Sequence, residues 1–215
     1  AISLLQNDGI IYKDLTFDGF FFYHDVYEEI VLIHKINQEY IQNETVTDFF
    51  DKIGDSITVR KTFRLWLHIQ FETDSAEINQ FFENIFQNED FLVWKDEILI
   101  ALFSEENMIF APFLDRILKE NDYALLFRSL HLLNTACKTI DYKFLEGLLT
   151  SEEMQTYNIY KFNIPLGHGW NYLITYAYKH REHIPWTEKN IDKIINVLYT
   201  WSQKFNNGET TRNAG

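Results

Sequence analysis

The chain has 215 residues, enough for one large domain or two small ones with a sizeable core. Its net charge of −13 and pI near 4.9 argue against non-specific binding to nucleic acid or to anionic lipid, because phosphates would be repelled. A lone cysteine, Cys137, excludes an internal disulfide and reads as a cytoplasmic protein; no apolar run reaches the ~20 residues a bilayer demands, and no signal peptide is visible.

Three prolines and eight glycines, set among many Leu, Ile, Phe, Glu and Lys, predict a mostly helical chain. Residues 1–7 read as the end of a helix with Ile2 and Leu5 on its apolar side, stopped by Asp8-Gly9. Ile10 to Tyr12 reads as a short strand, 13–19 as a turn, and Phe20 to Tyr23 as a returning aromatic strand. A helix follows from Asp25 to about Ile41. Asp25 is the expected cap, Glu28 completes a capping box, and Val26, Ile30 and Ile33 with Tyr27 and Val31 form a broad buried stripe. His24 is left at the joint, beside the first free N–H groups of the helix, where an imidazole and backbone donors together suit a phosphate.

From residue 42 onward the pattern is helix after helix. Thr45 to about Lys52 is short and closed by Gly54. Asp55-Ser56 caps a helix to about Glu72 with Val59, Phe63, Trp66, Leu67 and Ile69 as its apolar set. Asp74-Ser75 opens the next, carrying Ile78, Phe81, Phe82, Ile85 and Phe86, and 91–103 follows with Trp94, Ile98 and Leu102. Asn107 to Leu118, with Pro112 early enough to be tolerated, precedes helices at 122–139 and 142–149. Residues 150–169 form the one long irregular stretch, a surface loop or a junction. Trp170 to about His183 is helical, and Thr187 caps a final helix whose stripe is Ile191, Ile194, Ile195, Leu198 and Trp201. Short links and one-sided apolar faces give an α-solenoid pattern with a degenerate repeat.

Several side chains invite chemistry. His24 is either a phosphate sensor or a histidine flanking a helix start. His168, His180 and His183 suggest a metal, but Lys179 and Arg181 sit among them and no thiolate or paired carboxylate completes a tetrahedral set, so no metal is expected. Cys137 has His131 six residues away, off its helical face, and reads as a buried thiol. Ser129, Ser151 and Ser202 lack a nucleophile elbow. Glu105-Glu106 and Glu152-Glu153 read as solvated caps. The basic-aromatic run from Arg60 to Trp66 reads as one charged helix face over a core, not a nucleic-acid patch.

Phe22-Tyr23-His24-Asp25-Val26-Tyr27-Glu28-Glu29 resembles the Met-His-Asp type motif that ends the winged-helix domain of STAND NTPases, the signal-transduction ATPases that include plant disease-resistance and bacterial anti-phage proteins. Tyr23 stands where Met is common in the plant branch. The strand at Gly9 to Tyr12 agrees with the motif, and the segments 91–97 and 169–185 resemble the helical repeats behind the NTPase module of bacterial members. The resemblance implies that His24 reaches the β-phosphate of ADP and helps hold a closed, inactive state. It departs from the family in having no Gly-x-x-x-x-Gly-Lys-[Ser/Thr] loop, so ATP or ADP with Mg would be held by a core lying before Ala1. Both ends of the chain read as cut.

The expectation is therefore an all-α, right-handed α-solenoid-like array preceded by the short β-hairpin of a partial winged-helix unit: residues 1–41 the winged-helix part, 42–208 the array with a possible junction at 150–169, and 209–215 a tail. It would be non-enzymatic and cytoplasmic. It would bind a protein ligand on the array, with no cofactor of its own and no nucleic-acid or membrane contact, in a parent that could oligomerise. The rival reading is a helical-repeat scaffold or adaptor with no nucleotide link; the third is an enzyme, whose sign would be a deep pocket lined by perturbed acids or histidines.

Overall fold

A computed structural model describes residues 2–14, 19–73, 75–156, 158 and 163–204. The centre of the expected turn at 15–18, the proposed cap Asp74 and the tail at 209–215 lie outside the described residues. Among those described, twelve α-helices and two small strand pairs make up a predominantly helical protein. The chain gathers into two compact units, Ala1–Glu97 and Ile98–Gly215.

The first unit opens with helix α1 (Ile2–Asn7), which Gly9 ends at a φ of 67°. Strand β1 (Ile11–Asp14) pairs antiparallel with β2 (Gly19–Phe22), setting Ile11 opposite Phe22 and Tyr12 opposite Phe21. Helix α2 (Asp25–Gln42) then runs beside α4 (Ile57–Thr73), with the short α3 (Val46–Ile53) between them in sequence. Thr45 caps α3, accepting the Asp48 N–H at 3.1 Å, and Gly54 closes it. Ser56 caps α4 as expected, accepting the Val59 N–H at 3.3 Å.

Aromatic packing holds this unit. Phe63 and Trp66 of α4 are fully buried against Phe49 and Phe50 of α3 and Phe81 of α5 (Ser75–Phe86). Trp94, on α6 (Leu92–Ser104), stacks on Phe50 at 4.4 Å between ring centres. Offset and edge-to-face pairs of this kind add to area burial. The Trp66 indole N–H donates to Asn37 Oδ1 at 3.2 Å, so the buried ring keeps its polar atom satisfied.

The broad buried stripe expected on α2 is not present. Val26 and Ile30 are 59% and 58% exposed and Val31 is exposed too, while Ile36 is the residue this helix buries. The helix is buried at Ile36, and its N-terminal apolar residues are exposed, as are Phe20, Phe21 and Tyr23 just before it. Ile69 is likewise exposed on α4.

The unit boundary falls within α6, whose apolar residues Ile98 to Phe103 are all buried, matching their all-round apolar pattern. Helix α7 (Ala111–Ile117) carries Pro112 in its first turn. Helix α8 (Glu120–Ala136) has Asn121, Asp122 and Tyr123 in left-handed backbone conformation near its start.

Two expectations for this second unit are corrected. The helix expected over 122–139 stops at Ala136, and Lys138–Ile140 is a strand, β3, where β-branched Thr139 and Ile140 suit extended backbone. Its antiparallel partner, β4 (Asn163–Pro165), lies in the stretch expected to be irregular, as does a short helix α10 (Ser151–Thr156) that follows α9 (Tyr142–Glu146).

The segment leading into α11 (Gly169–Lys179) presses against the end of α6. A Cβ at Gly167 would lie 2.3 Å from the Phe103 carbonyl oxygen, and one at Gly169 would lie 2.4 Å from Phe103 Cβ. Trp170 beside it is fully buried and donates its indole N–H to the Cys137 carbonyl at 2.8 Å. In α12 (Glu188–Lys204) the buried residues are Ile194 and Val197, while Ile191 and Ile195 are exposed. Thr187 meets this helix through its N–H, which donates to Asn190 Oδ1 at 2.8 Å.

Candidate functional site

His24 sits where the hairpin becomes a helix. The Tyr23 N–H donates to the Ile10 carbonyl at 3.0 Å, so the β2 strand stays tied to the preceding segment up to the joint. His24 itself is extended (φ −134°, ψ 137°) and is the cap residue of α2; Asp25, the expected cap, is the first helical residue. No side chain caps this end, so the expected Asp25–Glu28 capping box does not form. The His24 ring is exposed and lies 5.9 Å from the Tyr27 ring.

The electrostatics at this joint are mixed. Uncapped first-turn N–H groups and the helix dipole favour an anion. Asp25 and Glu28 place two carboxylates in the same turn. Lys61 is held by Glu29 at 2.7 Å, a contact that raises the Lys61 pKa. A phosphate at His24 would therefore draw its neutralising cations from outside this turn.

The remaining sequence candidates fall in both units. His168 precedes α11, His180 caps its C-terminus and His183 lies in the turn beyond, so the helix expected to reach His183 ends at Lys179. Among the described residues no group of three His, Cys, Asp or Glu side chains converges as metal ligands do. Cys137 is fully buried, 3.9 Å from the Ile100 carbonyl. In the run 60–66, Phe63 and Trp66 are core, the Arg60 Nε–H donates to the Asp55 carbonyl at 2.8 Å, and Arg64 faces Glu97 at 3.1 Å. Glu153 completes a capping box with Thr150, accepting its N–H at 2.8 Å, and these bonds lower the Glu153 pKa.

Glu97 is an acid with one carboxylate oxygen buried. Its Oε2 is buried and, although 3.1 Å from Arg64 Nε, is misaligned for a hydrogen bond. Burial pushes its pKa up, against the opposing pull of Arg64 and Arg60.

One cluster was not anticipated. In the second unit a cleft of about 420 Å³ is lined by residues of α7 and α11 and of the segments flanking them, among them Asp115, Tyr172, Tyr176, Lys179 and the C-cap His180. Tyr172, Tyr176 and His180 recur every four residues and so share one face of α11. The Tyr172 hydroxyl donates to Asp115 Oδ1 at 2.6 Å; burial and then this contact push its pKa well above the ordinary phenol value. Tyr176 is 3% exposed, and its hydroxyl is buried with no hydrogen-bond partner. Burial likewise raises the Tyr176 pKa, with Tyr123 and Asp115 adding to it. The His180 ring rests 4.5 Å from that of Tyr176, and burial lowers its pKa, with Lys119 acting in the same direction. The step-of-four spacing was visible in the sequence; the acid facing it was not.

No protein-family model and no curated protein matches this sequence. Among the described residues no helix is long and apolar enough to cross a membrane.

Proposed function

We propose that this chain is a non-catalytic, ligand-sensing regulatory segment of a bacterial STAND-type NTPase. In this reading residues 1–41 close a winged-helix domain and the later helices form a solenoid-like array that receives a protein ligand. The parent works in the cytoplasm, in anti-phage or related signalling, and can assemble into an oligomer. ATP or ADP with Mg is bound by the parent's core, and His24 leans on the ADP phosphate. ADP favours a closed form through His24 and ligand on the array favours an open one, so each biases the same two-state equilibrium.

The observation that carries the reading is the joint itself: a paired hairpin delivers an exposed imidazole to the uncapped start of a long helix. The exposed apolar residues around it, among them Phe21, Val26 and Ile30, suit burial against a further domain. The reading requires a phosphate-binding loop in the parent sequence before Ala1. In the intact parent, His24→Ala is expected to shorten ADP retention and raise basal output; unchanged values for both would remove the sensor role.

A second reading, a helical scaffold or adaptor with no nucleotide link, draws support from Asp25 and Glu28, whose charges oppose a phosphate at this turn. A parent without a phosphate-binding loop would favour it.

A further inference from the structure

Helices α7 and α8 are separated by a short strained joint. Leu118 and Lys119, which follow α7, keep right-handed backbone, with φ of −66° and −85°. Asn121, Asp122 and Tyr123 then turn left-handed, at φ of 49°, 53° and 62°. Each left-handed residue that carries a Cβ costs free energy, and a joint that is permanently left-handed usually takes glycine. No glycine stands at these positions, and the third of them is a tyrosine. No proline blocks the right-handed form either, and Lys119 and Glu120 are good helix formers. With the three residues relaxed, α7 and α8 would run as one helix from Ala111 to Ala136, roughly 39 Å long.

Strain of this kind persists only where surrounding contacts impose it. Such contacts cross from one side of the joint to the other. The His168 N–H donates to the Glu105 carbonyl at 2.8 Å, and the Tyr172 hydroxyl donates to Asp115 at 2.6 Å. Gly169 packs against Phe103 with no room for a Cβ between them. Straightening the joint carries α7 away from α8 and α11 and breaks these contacts within one chain. A second copy, having the same sequence, can remake every one of them.

We infer that Asn121–Tyr123 is the hinge of a domain-swapped dimer. Two copies straighten the joint, exchange the chain beyond it, and rebuild the same contacts between them with the strain removed. The hinge lies within the second unit, so the exchange does not depend on the nucleotide reading of His24.

The full chain, refolded from urea at high and at low concentration and resolved by size exclusion with light scattering, tests this. Refolding at high concentration is expected to give a dimer that returns to monomer slowly, because the unit must open for the chains to part. Asn121→Ala with Asp122→Ala favours the right-handed form and should raise the dimer-to-monomer ratio roughly fivefold or more; Asp122→Gly eases the left-handed form and should lower it by a similar factor. To separate exchange from face-to-face association, Glu105→Cys and His168→Cys are introduced together and bridged in the isolated dimer by a short thiol cross-linker, Cys137 being fully buried. The bridges are expected to join the two copies covalently. A dimer bridged only within each copy would overturn the inference, as would a chain that stays monomeric in parent and variants alike. Should the double-alanine protein fail to fold, a ratio unchanged by Asp122→Gly overturns it alone.

Discussion

Tyr172 and Tyr176 stand one turn apart on the same helix face with opposite hydrogen-bond fates: the first donates to Asp115 at 2.6 Å, the second is buried with no partner. The same substitution should therefore act in opposite directions at the two sites. Tyr172→Phe loses a charge-assisted bond and is expected to cost about 1–2 kcal/mol, whereas Tyr176→Phe removes an unsatisfied group and should be neutral or stabilise by up to about 1 kcal/mol. Urea denaturation at pH 7 measures both. Equal destabilisation by the two changes would show that the two hydroxyls do not differ in this way. A pH signature belongs to Tyr172 as well. Its folded pKa lies above the ordinary 10.0, so at higher pH the native state keeps a proton that the unfolded chain releases. Stability contributed here is fully present below pH 10 and falls as pH rises beyond it, and Tyr172→Phe should flatten that fall.

Glu97 offers the corresponding test among the acids. Its folded pKa is raised above 4.5, chiefly by burial, so between 4.5 and that higher value the native state holds a proton the unfolded chain has lost. Stability should drop as pH rises through this window. Glu97→Gln removes the titration and should flatten the curve there relative to the parent chain. The lost pairing with Arg64, which is partly exposed, should cost no more than about 1 kcal/mol. Thermal melts from pH 4 to pH 7 check this, and parallel curves for the two proteins would count against a raised Glu97.

What the sequence made legible follows from the range of the interactions involved. Phe63, Trp66, Phe81 and Ile98 were readable as core because helical periodicity is local and a broad apolar face must be covered. Thr45 and Ser56 were readable as caps for the same reason. Val26 and Ile30 have the same periodicity and are exposed, because spacing says that a helix has an apolar face without saying what meets it. The β3–β4 pair joins Lys138, in a stretch that reads as helix, to Pro165, in one that reads as loop. Asp115 and Tyr172 are 57 residues apart, so their contact had no local signature at all.

Gly167 and Gly169 look like loop punctuation in the sequence, and their role is close packing. A methyl group at Gly169 would fall 2.4 Å from Phe103 Cβ and 2.6 Å from its Cα, atoms that cannot swing aside. Gly169→Ala is therefore expected to destabilise by about 1–3 kcal/mol or more, as overpacking of a tight core does. Gly147 supplies the control: its added Cβ would meet the Phe144 carbonyl oxygen at an ordinary 3.5 Å, and its φ is −80°. Gly147→Ala should be neutral or stabilise by up to about 1 kcal/mol through the unfolded chain. Chemical denaturation of both variants reads the difference. A Gly169→Ala protein as stable as its parent would mean that α11 does not press on Phe103 in this way.

The three left-handed residues at the start of α8 provide the last test. Asn121, Asp122 and Tyr123 have φ values of 49°, 53° and 62°, a region that places Cβ too near the following carbonyl. Asn tolerates this conformation best of the three, so little is gained at 121. Tyr123 is half-buried and raises the pKa of Tyr176, so a change at 123 would mix strain relief with lost packing. Asp122 is exposed and isolates the backbone term. Asp122→Gly is expected to stabilise the chain by about 1 kcal/mol, the relief of one strained residue less the extra entropy of a glycine in the unfolded state. Asp122→Ala, which keeps Cβ and loses the polar side chain that eases this conformation, should destabilise instead. The two variants should therefore move the urea midpoint in opposite directions, and a shift of the same sign for both would show that the backbone at 122 is not left-handed in solution.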